Sequence, residues 1–472
     1  MKTIRFMVIL IIGLCPALAT ALTRDQAYEL ARAGDAGAIE SAFAAHQAAF
    51  NAGEIGPDTY QWPYSVFWTT EPLAEATIEG WLAAYPDSPQ AAAAKSIQLR
   101  HIGGLVRGGD FAPKTPTAAL ARFNRIAGEA LILAKRALDS EPRHLAAAYS
   151  LMSLGAFLGS RADRDRGFRI IEELDTPADV LLSGLQYNYA RWGGGPEATR
   201  LFCEERAPLV PDISVEECLA KADYDNADQD RALQLSAINT LSKGSIEHFL
   251  EQHIAALGRS GRMEEAYALA RSRNYMSRQF AYAAANGLGN MSILDDFVTE
   301  TLRDDPLNPF ELVAYANSRA GVGQLEAAWE AMDKAMLYGA NTRYVRWSRI
   351  LLLMRDPDRK WDFMDEVILA ADATDGDMDI LGGVMINLID PGENLTNLRD
   401  GTPRPNFECT RLRLLERHEQ NCEAGSQHYS CAPGMTVRRD TVIIEARATN
   451  ACGEETGRTW QDIIRHLLDL TE

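Results

Sequence analysis

Cysteine is scarce in this sequence, and its placement excludes more than its number does. Seven cysteines occur in 472 residues. None forms a Cys-x-x-Cys pair, the spacing that structural zinc sites usually show. Histidine is equally thin: the eight present are scattered singly, and His248 and His253, five apart, do not share a helical face. No HExxH, GxSxG, GxxxxGK or SxxK segment occurs, which removes the commonest sequence routes to metalloprotease, serine-enzyme and P-loop chemistry. Positive charge is also short. Against 66 acidic residues stand 47 Lys and Arg, a formal charge of −19 that disfavours nucleic acid and anionic membrane surfaces as partners. Beyond the first twenty residues no apolar run is long enough to span a bilayer.

What is present begins with an export signal. MKTIR is a basic n-region, FMVILIIGL an apolar run, and Ala17-Leu18-Ala19 or Ala19-Thr20-Ala21 a small-residue cleavage site, so residues 1–21 read as a signal peptide. Cys15 follows Leu14, a poor neighbour for a lipidated cysteine, and plain secretory cleavage is preferred. Loss of Lys2 and Arg5 with the signal makes the mature chain two charges more negative. Six cysteines remain: Cys203, Cys218, Cys409, Cys422, Cys431 and Cys452. An even number in an exported chain favours disulfides. Cys203 and Cys218 stand alone together and pair; the other four leave three connectivities open. A zinc site built from those four with His418 or His428 is the weaker reading.

The stretch Pro306 to Ala340 predicts two antiparallel helices around a glycine turn, Gly321 to Gly323. Ala328 and Ala335, seven apart, share one face of the second helix and let a neighbour approach closely. These residues resemble the tetratricopeptide pattern, with its 34-residue period and small residues at set positions. Gly289 lies one period before Gly323, and Asp305-Pro306 closes that earlier unit. Ala130, Ala137 and Pro142 repeat the spacing upstream, and Gly261 to Ala270 fits in its first half. Leu294 and Thr301 occupy positions for small residues, so the array is degenerate.

Within WLAAYPDSPQ, a later Arg-Gly and an Arg-Trp-Gly-Gly segment, the sequence resembles an uncharacterised bacterial family, a domain of unknown function. The residues that carry the resemblance are Trp81, Pro86, Ser88 and Pro89, then Arg107 and Gly108, then Arg191 to Gly194. Gly195 stands where the pattern has a small hydroxyl residue. The match covers residues 76–205, and it implies a helical, tetratricopeptide-like domain with no established activity.

The expected fold is all-α: a tetratricopeptide-like helical-repeat solenoid with a small, disulfide-stapled α+β module at the C-terminus. Residues 22–215 form an N-terminal helical-repeat domain, 206–235 an irregular connection, 236–395 the clearest repeats and 403–472 the cysteine-rich module. In that module FECTRLRLLERHEQNC reads as a helix, MTVRRDTVIIEARAT as a β-hairpin and TWQDIIRHLLDL as a final amphipathic helix.

Candidate binding residues are Arg100, Arg107, Arg191 and Trp192, cations and an aromatic beside glycine breaks; Arg100, His101 and Arg107 straddle Gly103-Gly104. Trp62, Tyr64, Phe67 and Trp68 form either a ligand-stacking patch or, preferably, an aromatic plug. Asp223, Asp225, Asp228 and Asp230, like Asp375, Asp377 and Asp379, offer calcium-type oxygens but lack the EF-hand glycine and distal glutamate, so helix-capping turns are preferred. No cofactor or catalytic residue is expected. The functional expectation is a periplasmic or secreted scaffold that binds a protein, a peptide or another envelope component on a concave helical surface. An envelope hydrolase that holds glycan or peptide, and a structural assembly subunit, are the alternatives.

Overall fold

The computed structural model describes residues 21–109, 112–192, 194–227 and 230–392, and most of 396–452. Residues 1–20 of the expected signal peptide and the expected final amphipathic helix lie outside the described residues. Every described element is a helix, and the sole β feature among them is one bridge between Asn397 and Pro403. No described helix is long and apolar enough to cross a membrane.

Helices fold back on their neighbours in pairs. Pro89–Arg107 packs along Thr117–Ser140, Leu145–Phe157 on Arg161–Leu174, and Pro309–Gly321 on Leu325–Gly339. The last pair is the one expected from Pro306 to Ala340. Its turn places Gly323 at φ +80°, a left-handed conformation that favours glycine. Ala328 and Ala335 are fully buried, as are Ala130 and Ala137 upstream. Local sequence sets the helix starts. Ser88 Oγ accepts from the Ala91 amide at 3.1 Å while Pro89 occupies the first helical turn.

Two expectations are overturned. Residues 433–448 form a helix, Pro433–Ala448, in place of the hairpin. The alternation of Val442 to Glu445 also suits a helix, because Ile443 and Ala446, three apart, turn inward while Ile444 stays exposed. Residues 206–235 are largely helical as well. Ser214 and Glu217 make a reciprocal capping box at the start of Val215–Asn226, and Asp230 caps Arg231–Leu241.

Buried side chains gather into a few cores. The N-terminal one centres on Phe43, Tyr60, Tyr64, Phe67 and Trp81. The C-terminal one runs without a break from Leu312 through Leu388 to Phe407, Leu415 and Ile443, so the cysteine-rich segment shares the core of the preceding helices. The chain also clasps itself across its length. Helix Pro89–Arg107 touches Leu325–Gly339, and Tyr338 packs against Ile102, Val106 and Ile126.

Candidate functional site

A cleft of about 1050 Å³ opens between the start of the first helix, the turn at Asp58 to Trp68, and helices Pro89–Arg107 and Leu145–Phe157. The 3₁₀ turn Trp62–Phe67 divides the aromatic cluster in two. Pro63, Tyr64, Val66 and Phe67 are buried and anchor the turn, while Trp62 and Trp68 remain 59% and 47% exposed and line the cleft. The cluster is therefore plug on one side and open aromatic wall on the other.

Arg100 forms the cleft's inner wall. Its Nη1 donates to the Tyr149 carbonyl at 3.2 Å and to Ser153 Oγ at 3.1 Å, and its Nε is buried with no partner. The Trp68 ring covers the guanidinium with its centroid 4.9 Å from Cζ. Among the described residues no carboxylate pairs with it. Burial pulls its pKa down to about 10, against a weaker opposing effect of the Tyr187 phenol, so the group stays cationic at neutral pH. A half-buried cation whose Nε is sealed from solvent, with no counter-ion among the described residues, is costly and therefore informative. Beside it, the Tyr149 hydroxyl donates to Asp175 at 2.6 Å and Gln61 Nε2 donates to the same oxygen at 3.1 Å. Burial raises the Asp175 carboxyl, and the negative charges of Asp179 and Asp58 add to that, outweighing the hydrogen bonds from Tyr149 and the Thr176 amide.

The other expected residues do not converge there. Arg107 ends the same helix, where the adjoining Gly108 faces Thr342, and its Nη1 donates to the Gly108 carbonyl. The Arg191 side chain lies outside the described residues. Trp192 packs edge-on against Phe157 at 5.1 Å and near Tyr187 at 6.4 Å, as a core-capping ring. It connects to Arg100 only through Tyr187, whose hydroxyl donates to the same Ser153 Oγ.

The acidic clusters disperse into local duties. Asp225 accepts from Lys221 and the Tyr189 hydroxyl, and Asp230 caps a helix. Asp228 lies outside the described residues. Asp375 accepts from the Thr117 amide, Asp377 caps Met378–Ile389, and Asp379 meets Arg343.

The cysteines pair. Sulfur separations of 2.07, 2.10 and 2.06 Å join Cys203 to Cys218, Cys409 to Cys452 and Cys422 to Cys431, all at disulfide distance. His418 lies beside the Cys422–Cys431 sulfurs, but that pairing consumes the thiolates a zinc ion would need. Ser430 Oγ sits 2.8 Å from His418 Nε2 and 2.7 Å from His428 Nδ1, and His428 Nε2 is 3.5 Å from Asp379. This is a serine–histidine–carboxylate chain in outline, yet Ser430 is fully buried and no substrate reaches it.

The exposed tryptophans carried a signal, since two indoles flanked a proline-containing turn. The missing counter-ion of Arg100 carried none, because it depends on residues brought in from fifty positions away. Compared with known proteins, the chain matches no family model and no curated protein.

Proposed function

We propose that this protein is an exported binding protein of the bacterial cell envelope, whose cleft at Arg100 takes an anionic ligand. In this reading the helix pairs form a tetratricopeptide-like solenoid, in which residues 76–205 follow the uncharacterised helical family they resemble. The signal peptide directs the chain to the periplasm or beyond, and three disulfides suit that compartment. Stacked helix pairs act as a rigid scaffold, and side chains lining the concavity make the contacts.

One observation carries the reading. Arg100 is a half-buried guanidinium, its Nε shut off from solvent, with no carboxylate partner among the described residues, at the wall of a cleft whose rim holds two exposed tryptophans. A ligand anion would supply the counter-ion that the fold leaves out.

The test is capture from envelope extract under non-reducing conditions, with wild-type protein and Arg100→Gln side by side. A component enriched by the wild type and lost with R100Q supports the reading. Equal capture by both proteins overturns it.

A further inference from the structure

The Arg100 cleft has a chemistry more specific than anion binding. Both hydrogen bonds of the guanidinium leave through Nη1, toward Tyr149 and Ser153, while Nε has no partner. Nε is shut off from solvent, whereas Nη2 makes no hydrogen bond among the described residues, so Nη2 is the donor that a carboxylate oxygen in the cleft can reach. The second arginine of the cleft is already engaged. Arg24 pairs with Asp304 at 3.3 Å and donates to Ser65 Oγ. Asp25 and Asp58 line the cleft and form no ion pair among the described residues. Among the described residues lining the cleft, Arg100 is the one cation without an ion pair, and beside two aspartates it suits a single negative charge better than a phosphate dianion.

Around that cation the walls are aromatic and polar. The Trp62 and Trp68 rings stand on a turn anchored by buried Tyr64 and Phe67, so little conformational entropy is lost when a flat face settles on them. The cleft is also built from helices and a 3₁₀ turn, whose backbone groups are largely consumed internally, and no strand edge is present among the described residues. An extended peptide therefore finds few main-chain partners. Sugar hydroxyls need only side chains, and Asp25, Asp58 and Gln61 offer them. The C–H face of a pyranose ring suits an indole.

On the reading of this cleft as the binding site, we propose that its ligand is a uronic-acid saccharide of more than one ring. Arg100 holds the carboxylate, Trp62 and Trp68 hold ring faces, and the rim aspartates accept hydrogen bonds from hydroxyl groups. The volume of about 1050 Å³ stands at the upper end of ordinary ligand sites, about 300–1000 Å³, and exceeds the needs of one ring.

The test is calorimetric titration of the purified protein with a galacturonate trimer and a glucuronate-containing oligomer. The controls are the methyl ester of the galacturonate trimer, neutral maltotriose, and a blocked tripeptide with a free terminal carboxylate. At least one uronate oligomer is expected to bind about tenfold more tightly than the ester or maltotriose, the value of one charge-assisted hydrogen bond. R100K, which keeps the charge but moves the donor away from the Nη2 position, is expected to lose that margin, and Trp62→Ala, on an exposed residue that leaves the fold intact, to weaken binding as well. Equal binding of acid and ester, or no binding of either uronate, overturns the proposal. Arg100-dependent binding of the tripeptide alone overturns the saccharide while leaving the anion-binding cleft standing.

Discussion

Asp305 Oδ2 lies 2.8 Å from His101 Nε2, a contact between residues 204 positions apart and both buried. The same carboxylate accepts from the Thr70 amide at 2.8 Å, from the Thr70 hydroxyl, and from Asn308 Nδ2 at 2.9 Å. Beside it, the Thr69 hydroxyl donates to the Asp304 carbonyl. The clasp between residues 69–101 and 304–308 is therefore a polar knot centred on one carboxylate.

Asp305→Ala strips four donors of their acceptor and is expected to cost about 3 kcal/mol in urea denaturation. Burial pushes the Asp305 carboxyl up, but hydrogen bonds from His101, Thr70 and Asn308, with the His101 charge, outweigh it and hold the group below its usual range. Its contribution is complete above the unfolded carboxylate value, about 3.9. It is lost as pH falls from there through the lower native value. Asp305→Asn should flatten the stability profile in that acid window.

A second pH effect comes from His144. It is fully buried, accepts from the Ala147 amide on Nδ1, and meets Tyr60 on Nδ1 and Tyr64 on Nε2. Burial lowers its pKa to about 3, and burial together with the Arg439 charge lowers that of His418 to about 4. Both are neutral in the native state and take up protons only on unfolding. Their stabilisation is complete above about pH 6.5, the unfolded value, and fades as pH falls toward 4. Unfolding followed between pH 7 and 4.5 should show stability falling with acidity. His144→Gln should reduce the slope.

Gly167 measures how closely helices Leu145–Phe157 and Arg161–Leu174 approach. A β-carbon there would stand 2.6 Å from the Met152 nitrogen and 2.7 Å from the Ala148 oxygen, both backbone atoms. Gly167→Ala is expected to destabilise by about 1–3 kcal/mol. Gly128 has open space around it on helix Thr117–Ser140, so Gly128→Ala should stabilise by about 0.5–1 kcal/mol. Opposite shifts in melting temperature are the expected readout.

Cys203 and Cys218 close a 15-residue loop between helices Pro196–Arg206 and Val215–Asn226. Replacing both with serine is expected to lower stability by about 3 kcal/mol, the chain-entropy value for a loop of that length. Non-reducing peptide maps should also show Cys409 joined to Cys452 and Cys422 to Cys431.

The legible part of the sequence was local. Ala328, Ala335 and the Gly323 turn follow from helical spacing, and Ser88 from capping chemistry. Residues 433–448 were misread because a short run of Val and Ile has the same composition in a strand as on a half-buried helix face. Of the expected binding residues Arg100 lines the cleft, whereas Trp192 caps a core and Arg107 ends its helix elsewhere. Their glycine neighbours mark close backbone approach as readily as ligand access, and Gly194, whose β-carbon would stand 2.1 Å from the Asn188 oxygen, is a case of it. Asp305-Pro306 read as the close of a helical unit. Nothing local revealed that His101 would cross two hundred residues to meet it.

That crossing changes how the molecule comes apart. In a linear stack each helix pair touches only its neighbours, so the ends fray and unravelling proceeds inward unit by unit. Here helix Pro89–Arg107 bears on Leu325–Gly339, and Thr70 and His101 hold Asp305. Neither flank can peel away without breaking the other's contacts. The arrangement ties residues 69–107 to residues 304–339, so the helices between them lie in a closed loop that cannot unravel from a free end while those contacts hold.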